Sequence, residues 1–280
     1  TQYITVGSNL IRWYETTYPS GYTCQSPLAT QGTYGYCYGA ESISSGDTVV
    51  VENTPVPTAY IKIKKVNTEN SGVSYAGLTV VGTVFSVKSG STEVATITIG
   101  SDGTGTTNVS LPVGTYTISE KTATTGYQTN SATLTVVLTS SNTATNPATV
   151  DMTTNSTACS SGSSPCWFKN EPIKGKVSFS KAGYELGTNN QASSRNLAGI
   201  SFTAVNKADS SITYTIGPTA SDGSVTSPSM VYGNYTATEI RSTANAAYDL
   251  LSFDFSVTST STSSLGTKTD NIPDNPNLST

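Results

Sequence analysis

Two stretches, Gly114-Thr-Tyr-Thr-Ile-Ser-Glu120 and Gly233-Asn-Tyr-Thr-Ala-Thr-Glu239, decide the fold that this sequence predicts. Each begins at a glycine, alternates larger side chains with small polar ones, and ends at a glutamate. Alternation with a period of two residues is the pattern of a β-strand that has one buried face. Because the stretch occurs twice, the sequence predicts a repeated all-β unit.

Further short alternating runs surround these stretches. They are rich in Val, Ile, Thr, Tyr or Phe, and turn-forming residues bound them: Tyr60–Val66, Thr79–Lys88, Glu93–Ile99, Thr133–Leu138, Lys176–Ser180, Ile200–Val205, Ile212–Ile216 and Phe253–Val257. A capped stripe with a period of 3.6 residues is missing from the sequence, so we expect helices to be short or absent. This spacing of strands predicts tandem β-sandwiches.

The two units repeat the same motifs in the same order. In the first of them the order is Lys65, Tyr75-Ala-Gly77-Leu78, Ser101-Asp-Gly103, Glu120 and Phe168-Lys-Asn170-Glu-Pro172. In the other it is Lys181, Leu197-Ala-Gly199-Ile200, Ser221-Asp-Gly223, Glu239 and Thr269-Asp-Asn271-Ile-Pro273. The Asp-Gly pairs predict tight turns.

The first 56 residues match only the back half of this unit. Glu15 is followed by Gly21-Tyr22, as Glu120 is by Gly126-Tyr127, and Asn53-Thr-Pro55 matches the closing motif. A lysine ahead of Glu15 is missing, so we expect the front half to be absent or supplied by another chain. The predicted domains are therefore 1–56, 57–173 and 174–280, and their short proline-containing joints suit a rod.

Composition excludes several classes of function. The chain has 280 residues, 11% of them charged, a net charge of −4 and no histidine. Without histidine, Ser-His-Asp catalysis and His-ligated metals are ruled out, and we expect no cofactor and no metal. We find no basic cluster for nucleic acid and no apolar run for a membrane span. The start at Thr1 suggests a piece of a longer precursor.

Four cysteines form two sequence-local pairs, Cys24/Cys37 and Cys159/Cys166. Local pairing is the simplest of three possible connectivities. Two disulfides would indicate an extracellular setting.

The ordered motifs resemble those of Cna B-type, or SpaA-like, prealbumin-like domains of Gram-positive surface proteins and pilins. In that family a lysine and an asparagine on the first and last strands join in an isopeptide bond, which a glutamate promotes. The resemblance implies Lys65, Asn170 and Glu120 in the second unit, and Lys181, Asn271 and Glu239 in the third. The half unit would contribute Glu15 and Asn53.

The sequence leaves the identity of two reacting residues open. Lys62 and Lys64 share the opposite face of the strand from Lys65, and Asp270 is an alternative acyl partner beside Asn271. The terminal Thr280 leaves open a covalent link to an amine of another subunit.

These features predict a structural stalk of a bacterial surface adhesin or pilus, tied by isopeptide bonds and disulfides, and no enzyme that turns over a substrate. We expect it at the cell wall or on a pilus, with copies of itself as partners. The alternative is a module that binds carbohydrate or host matrix through some of its 16 tyrosines.

Overall fold

A computed structural model of the chain describes residues 57–143, 147–162, 164–186 and 192–269, of which 185, 186 and 192 are described as backbone only. Within residues 1–56 it describes the backbone of five strands. The chain forms two compact units, Thr1–Val56 and Pro57–Thr280.

The strands of the first unit form two small sheets. They are β1 Gln2–Thr5, β2 Leu10–Trp13, β3 Tyr22–Cys24, β4 Gly35–Gly39 and β5 Thr48–Val51. Strand β1 pairs antiparallel with β5, and β4 lies between β2 and β3. The register of β3 and β4 sets Cys24 opposite Cys37.

The second unit begins with a β-sandwich. Its strands are β6 Thr58–Asn67, β7 Ser74–Tyr75, β8 Leu78–Thr79, β9 Val84–Ser89, β10 Thr92–Thr98, β11 Thr104–Thr106, β12 Leu111–Pro112, β13 Gly114–Thr122, β14 Thr133–Leu138, β15 Ala148–Asp151 and β16 Trp167–Asn170. One sheet has the order β10-β9-β13-β14. The other centres on β6, which pairs antiparallel with β11 and β12 and parallel with β15 and β16. We call this sandwich the central domain.

A second sandwich repeats this plan. Its strands are β17 Lys174–Leu186, β18 Ala192–Asn196, β19 Phe202–Asn206, β20 Thr213–Ile216, β21 Ser224–Thr226, β22 Met230–Val231, β23 Gly233–Glu239, β24 Ser252–Val257 and β25 Thr262–Thr269. A 3-10 turn, η1, lies at Thr243–Asn245. The sheet β20-β19-β23-β24 faces a sheet built on β17, which pairs parallel with β25. We call this sandwich the last domain.

Each sandwich has its own apolar core. Alternate residues of the paired sheets point inward, and the two cores are built around Ile61, Phe85 and Ile118 and around Phe179, Phe202 and Tyr235. The predicted tandem all-β sandwiches are thus confirmed. The predicted run Thr79–Lys88 differs in detail, because Gly82, at φ 90°, lies in the turn that separates β8 from β9.

A third apolar cluster joins the central and last domains. It is formed by buried side chains from both: Ala76, Leu78, Val80, Tyr127 and Val231. Tyr232 N–H donates to the Ile173 carbonyl at 2.8 Å, and Lys174 Nζ lies 2.8 Å from Glu69 Oε1. The joint between the domains is therefore packed and hydrogen-bonded.

Candidate functional site

Lys65, Glu120 and Asn170 meet in the interior of the central domain. Alternation along β6 turns Lys65 inward, where it is fully buried, while Lys62 and Lys64 are only partly buried. Glu120 lies on β13, on the same inward face as Tyr116 and Ile118, and Asn170 ends β16. The register of β16 against β6 brings Asn170 two residues beyond Phe168, the partner of Lys65.

Glu120 contacts both other side chains. Its Oε2 lies 2.8 Å from Lys65 Nζ, and its Oε1 accepts a hydrogen bond from Asn170 Nδ2 at 2.8 Å. The side chains of Lys65 and Glu120 are both 0% exposed. The Asn170 Oδ1 atom is buried and has no hydrogen-bond partner among the described residues. One carboxyl group thus bridges an amine and an amide that have no access to water.

The surroundings of this trio are apolar. Lys65 Nζ lies 5.6 Å from the centre of the Phe85 ring, which packs at 4.6 Å against Phe168. Burial lowers the pKa of the Lys65 ammonium, and the charge and hydrogen bond of Glu120 oppose that shift. Transfer of a proton from Lys65 to Glu120 would remove both charges from this apolar environment and leave a nucleophilic amine.

The Asp-Gly turns hold the backbone of both buried lysines. Lys65 N–H donates to the Gly103 carbonyl at 2.8 Å, and Lys181 N–H donates to that of Gly223 at 2.9 Å. Both glycines have positive φ, and a Cβ on either would lie 2.8 Å and 2.6 Å, respectively, from the carbonyl oxygen of the lysine it supports. Only glycine fits this conformation and this close approach.

The last domain repeats part of the arrangement. Lys181 and Glu239 are buried, and Lys181 Nζ lies 3.6 Å from Glu239 Oε2. Lys181 Nζ also donates to the Ala182 carbonyl at 2.9 Å. Glu239 differs from Glu120 in its other contacts, since its Oε1 accepts from Asn245 Nδ2 at 2.8 Å and its Oε2 from Leu251 N–H at 3.1 Å.

Several predicted residues lie outside the described part of the chain. They are Glu15, Asn53, Asp270, Asn271 and Thr280, and the side chains of Cys24 and Cys37. Of the predicted disulfides, Cys159–Cys166 is present, with an S–S distance of 1.97 Å. Among the described residues, no group of His, Cys, Asp and Glu is placed to hold a metal ion, and no helix there is long and apolar enough to cross a bilayer.

Sequence reasoning missed Phe85, Phe202 and Asn245. Phe85 pairs across the sheet with Glu120, and Phe202 with Glu239. The two phenylalanines follow Gly77 and Gly199 at unequal distances, so an alignment of the motifs does not match them. Asn245 lies in the segment after Glu239 where the third unit departs from the Gly-Tyr pattern.

Several solved structures match this chain at low sequence identity. The Bacillus anthracis TIE protein matches with a TM-score of 0.52 and 18% identity over 84% of this chain and 39% of its own. The pilus adhesin SpaC of Lactobacillus rhamnosus GG matches with a TM-score of 0.37 and 20% identity, over 72% and 26%. The shaft pilin SpaA of Lactobacillus rhamnosus GG gives a TM-score of 0.27 and 16% identity, over 77% and 100%.

This chain therefore spans about two fifths of the TIE chain and a quarter of the SpaC chain. None of the curated proteins compared matches the sequence. The sequence profile of the SpaA family, described as a prealbumin-like fold domain, matches residues 59–154 and 183–271, which is more than half of the chain. The chain belongs to the SpaA family of prealbumin-like fold domains.

Proposed function

We propose that this chain is a load-bearing segment of a bacterial surface pilus or adhesin stalk, and that its central domain is closed by an isopeptide bond between Lys65 and Asn170. The observation that carries the proposal is the buried Glu120 carboxyl group, which contacts the amine and the amide at 2.8 Å each. Two of the matching structures are described as a pilus adhesin and a shaft pilin, which fits an assignment to the cell surface.

The reaction needs no group from outside the domain. Glu120 takes a proton from the Lys65 ammonium, and the free Nζ attacks the Asn170 Cγ atom. A bond forms between Nζ and Cγ, the bond from Cγ to Nδ2 breaks, and Glu120 protonates the departing nitrogen. Glu120 then takes the second proton that Nζ loses and ends as a neutral acid. One amine and one primary amide yield one secondary amide and one ammonia. Folding holds the groups together, which can be equivalent to an effective concentration of about 10⁵–10⁸ M.

The bond would tie β6 to β16, the strands that begin and end the domain. These strands are parallel neighbours, so tension on the chain would load them first in shear. With the bond in place, the chain between Lys65 and Asn170 cannot extend unless a covalent bond breaks. This is a single self-modification, and the chain is no enzyme in this proposal.

For the last domain we propose a second bond from Lys181, with Glu239 as its proton carrier. The order of the motifs favours Asn271 because of its Asn-x-Pro context, whereas the strand register favours Asp270. Lys181 pairs with Lys268, so residue 270 stands two positions beyond the partner of the lysine, as Asn170 does. A bond to Asp270 would release water, and a bond to Asn271 would release ammonia.

Force spectroscopy tests the proposed function. The chain is pulled from its two ends, and the length released as each domain opens is measured. The proposal predicts no release from the segment between Lys65 and Asn170, which would span roughly 350 Å when extended. The Glu120→Gln variant is expected to release that length, and release of it from the unmodified chain would refute the load-bearing role.

Three of the tyrosines considered for a binding platform, Tyr116, Tyr127 and Tyr235, are buried. They pack in apolar clusters, so they are not available to a sugar.

A further inference from the structure

Glu239 is held by a loop whose contacts to the carboxyl group differ from those around Glu120. The segment from Ile240 to Leu251 leaves the end of β23 and returns to it, because Glu239 N–H donates to the Leu251 carbonyl at 2.8 Å. Arg241 Nη1 donates to the Asn245 carbonyl at 2.7 Å and so fixes the middle of the loop. The loop thereby places the η1 turn next to the Glu239 carboxyl group.

Asn245, the last residue of η1, is fully buried and directs its amide at this carboxyl group. Its Nδ2 donates to Glu239 Oε1 at 2.8 Å and to the Ile240 carbonyl at 2.9 Å. Its Oδ1 accepts from Ser242 N–H at 2.7 Å. The amide is therefore fixed on both sides, and it can hold Glu239 in one orientation.

In the central domain a different residue donates the hydrogen bond to the Oε1 atom of the glutamate. There Glu120 Oε1 accepts a hydrogen bond from Nδ2 of Asn170, the proposed acyl partner. In the last domain Asn245 occupies Oε1, which leaves Oε2 to face Lys181. Unlike Asn170, Asn245 has both its oxygen and its nitrogen hydrogen-bonded, as expected of a supporting residue and not of a reacting one.

We propose that Asn245 is a positioning residue for bond formation by Lys181: it holds the Glu239 carboxyl group so that Oε2 faces the lysine amine. This inference rests on the proposed function. It also gives a role to the segment Ile240–Tyr248, which lacks the Gly-Tyr step of the central domain. A displaced carboxyl group slows such a reaction by roughly 10²-fold when the reacting groups move by about 1 Å.

Two substitutions separate positioning from a purely structural role. Asn245→Asp keeps the oxygen that accepts from Ser242 N–H but loses the donor to Glu239 and to the Ile240 carbonyl, whereas Asn245→Ala loses the oxygen and the donor. A purely structural role predicts lower stability in both variants but an unchanged rate of Lys181 cross-linking in the folded chain. Positioning predicts that both variants slow the cross-linking of Lys181, and Asn245→Ala decides the matter if the aspartate variant fails to fold.

Asn206→Asp is the matched control. Asn206 is also buried in the last domain, and its Oδ1 accepts from the N–H groups of Ala208 and Asp209. The substitution adds the same buried carboxyl group without removing a contact to Glu239. We expect Lys181 to cross-link at the unmodified rate in this variant.

The experiment follows cross-linked Lys181 by peptide mass mapping over time in freshly purified full-length chain. The Lys65 cross-link in the same sample is the internal reference. We expect Lys181 cross-linking to slow by roughly 10²-fold in Asn245→Asp and Asn245→Ala, with Lys65 unaffected. An unchanged rate, or a cross-link from Lys181 to Asn245 itself, would overturn the inference. A Lys181 that stays unlinked in the unmodified chain would instead refute the proposed bond of the last domain.

Discussion

Phe85 lies directly opposite Glu120 on the neighbouring antiparallel strand, and its ring covers the Lys65 amine at 5.6 Å. The last domain repeats the pair as Phe202 opposite Glu239. In both domains the buried glutamate thus has a buried phenylalanine as its cross-strand neighbour. A dry, apolar environment favours the neutral forms of amine and acid, which are the forms that the proposed reaction needs.

The Glu120→Gln substitution tests the proton carrier. Glutamine keeps the shape of the side chain but can neither take the proton of Lys65 nor balance its charge. We expect the Lys65 cross-link to be lost and the domain to be destabilised by about 3–5 kcal/mol, since a buried charge loses its partner. Thermal unfolding with mass analysis measures both effects.

Glu93→Gln is the control for this variant. Glu93 also pairs with a lysine, Lys121, at 2.9 Å, but both side chains are solvent-exposed. We expect full cross-linking and little change in the melting temperature. An equal loss in the two variants would argue against a special role for Glu120.

The Gly103→Ala substitution tests the turn that supports Lys65. Its Cβ would lie 2.8 Å from the Lys65 carbonyl oxygen, at a φ of 76°. We expect a loss of at least ~2 kcal/mol in the free energy of unfolding and a slower Lys65 cross-link. Gly90 has a similar φ of 58°, but a Cβ there would have no atom within 4 Å. For Gly90→Ala we therefore expect a loss of only about 1 kcal/mol in the free energy of unfolding. Equal costs at both sites would show that the close approach to Lys65 does not matter.

Replacing Cys159 and Cys166 with alanine tests the disulfide. The bond closes a short loop just before β16, the strand that carries Asn170. We expect the central domain to lose about 2–3 kcal/mol of stability, as measured by denaturant unfolding. The Lys65 cross-link should still form, because Glu120 and the strand register are unchanged. A loss of the cross-link would mean that the disulfide is needed to position Asn170.

Two substitutions at the interface between the central and last domains should have contrasting effects on stability. The Tyr127 hydroxyl group is buried and has no partner among the described residues, and burial raises the pKa of Tyr127 to about 12. Tyr127→Phe should therefore leave stability unchanged or raise it by up to ~1 kcal/mol. Leu78→Ala, in the same cluster, should cost about 2–4 kcal/mol. Calorimetry distinguishes the two, and a strongly destabilised Tyr127→Phe would reveal a hydrogen bond to its hydroxyl group.

Local sequence patterns predicted the architecture well because strands and tight turns depend on residues that are close in sequence. The alternation around Tyr116 and Tyr235 predicted strands β13 and β23, and the Asp-Gly pairs predicted the turns at Gly103 and Gly223. The alignment of the motifs favoured Lys65 over Lys62 and Lys64 by one register, and of these three lysines only Lys65 is fully buried.

Local sequence patterns could not predict contacts that depend on long-range packing. Asn245 reaches Glu239 through a loop whose path is set by Arg241 and by the pairing of its ends, and no periodicity encodes that path. The bulge between Ser178 and Ser180 also shifts the register of β25 against β17. With this shift Lys181 pairs with Lys268, so the residue two positions beyond is Asp270, although the Asn-x-Pro motif favours Asn271.

The most direct test of the covalent closure is a mass measurement on the intact chain, with fragmentation of the peptides that contain Lys65 and Asn170. The account predicts that these peptides remain joined and that the joined species lacks one ammonia. A full-mass central domain, with Lys65 and Asn170 recovered on separate peptides, would contradict it.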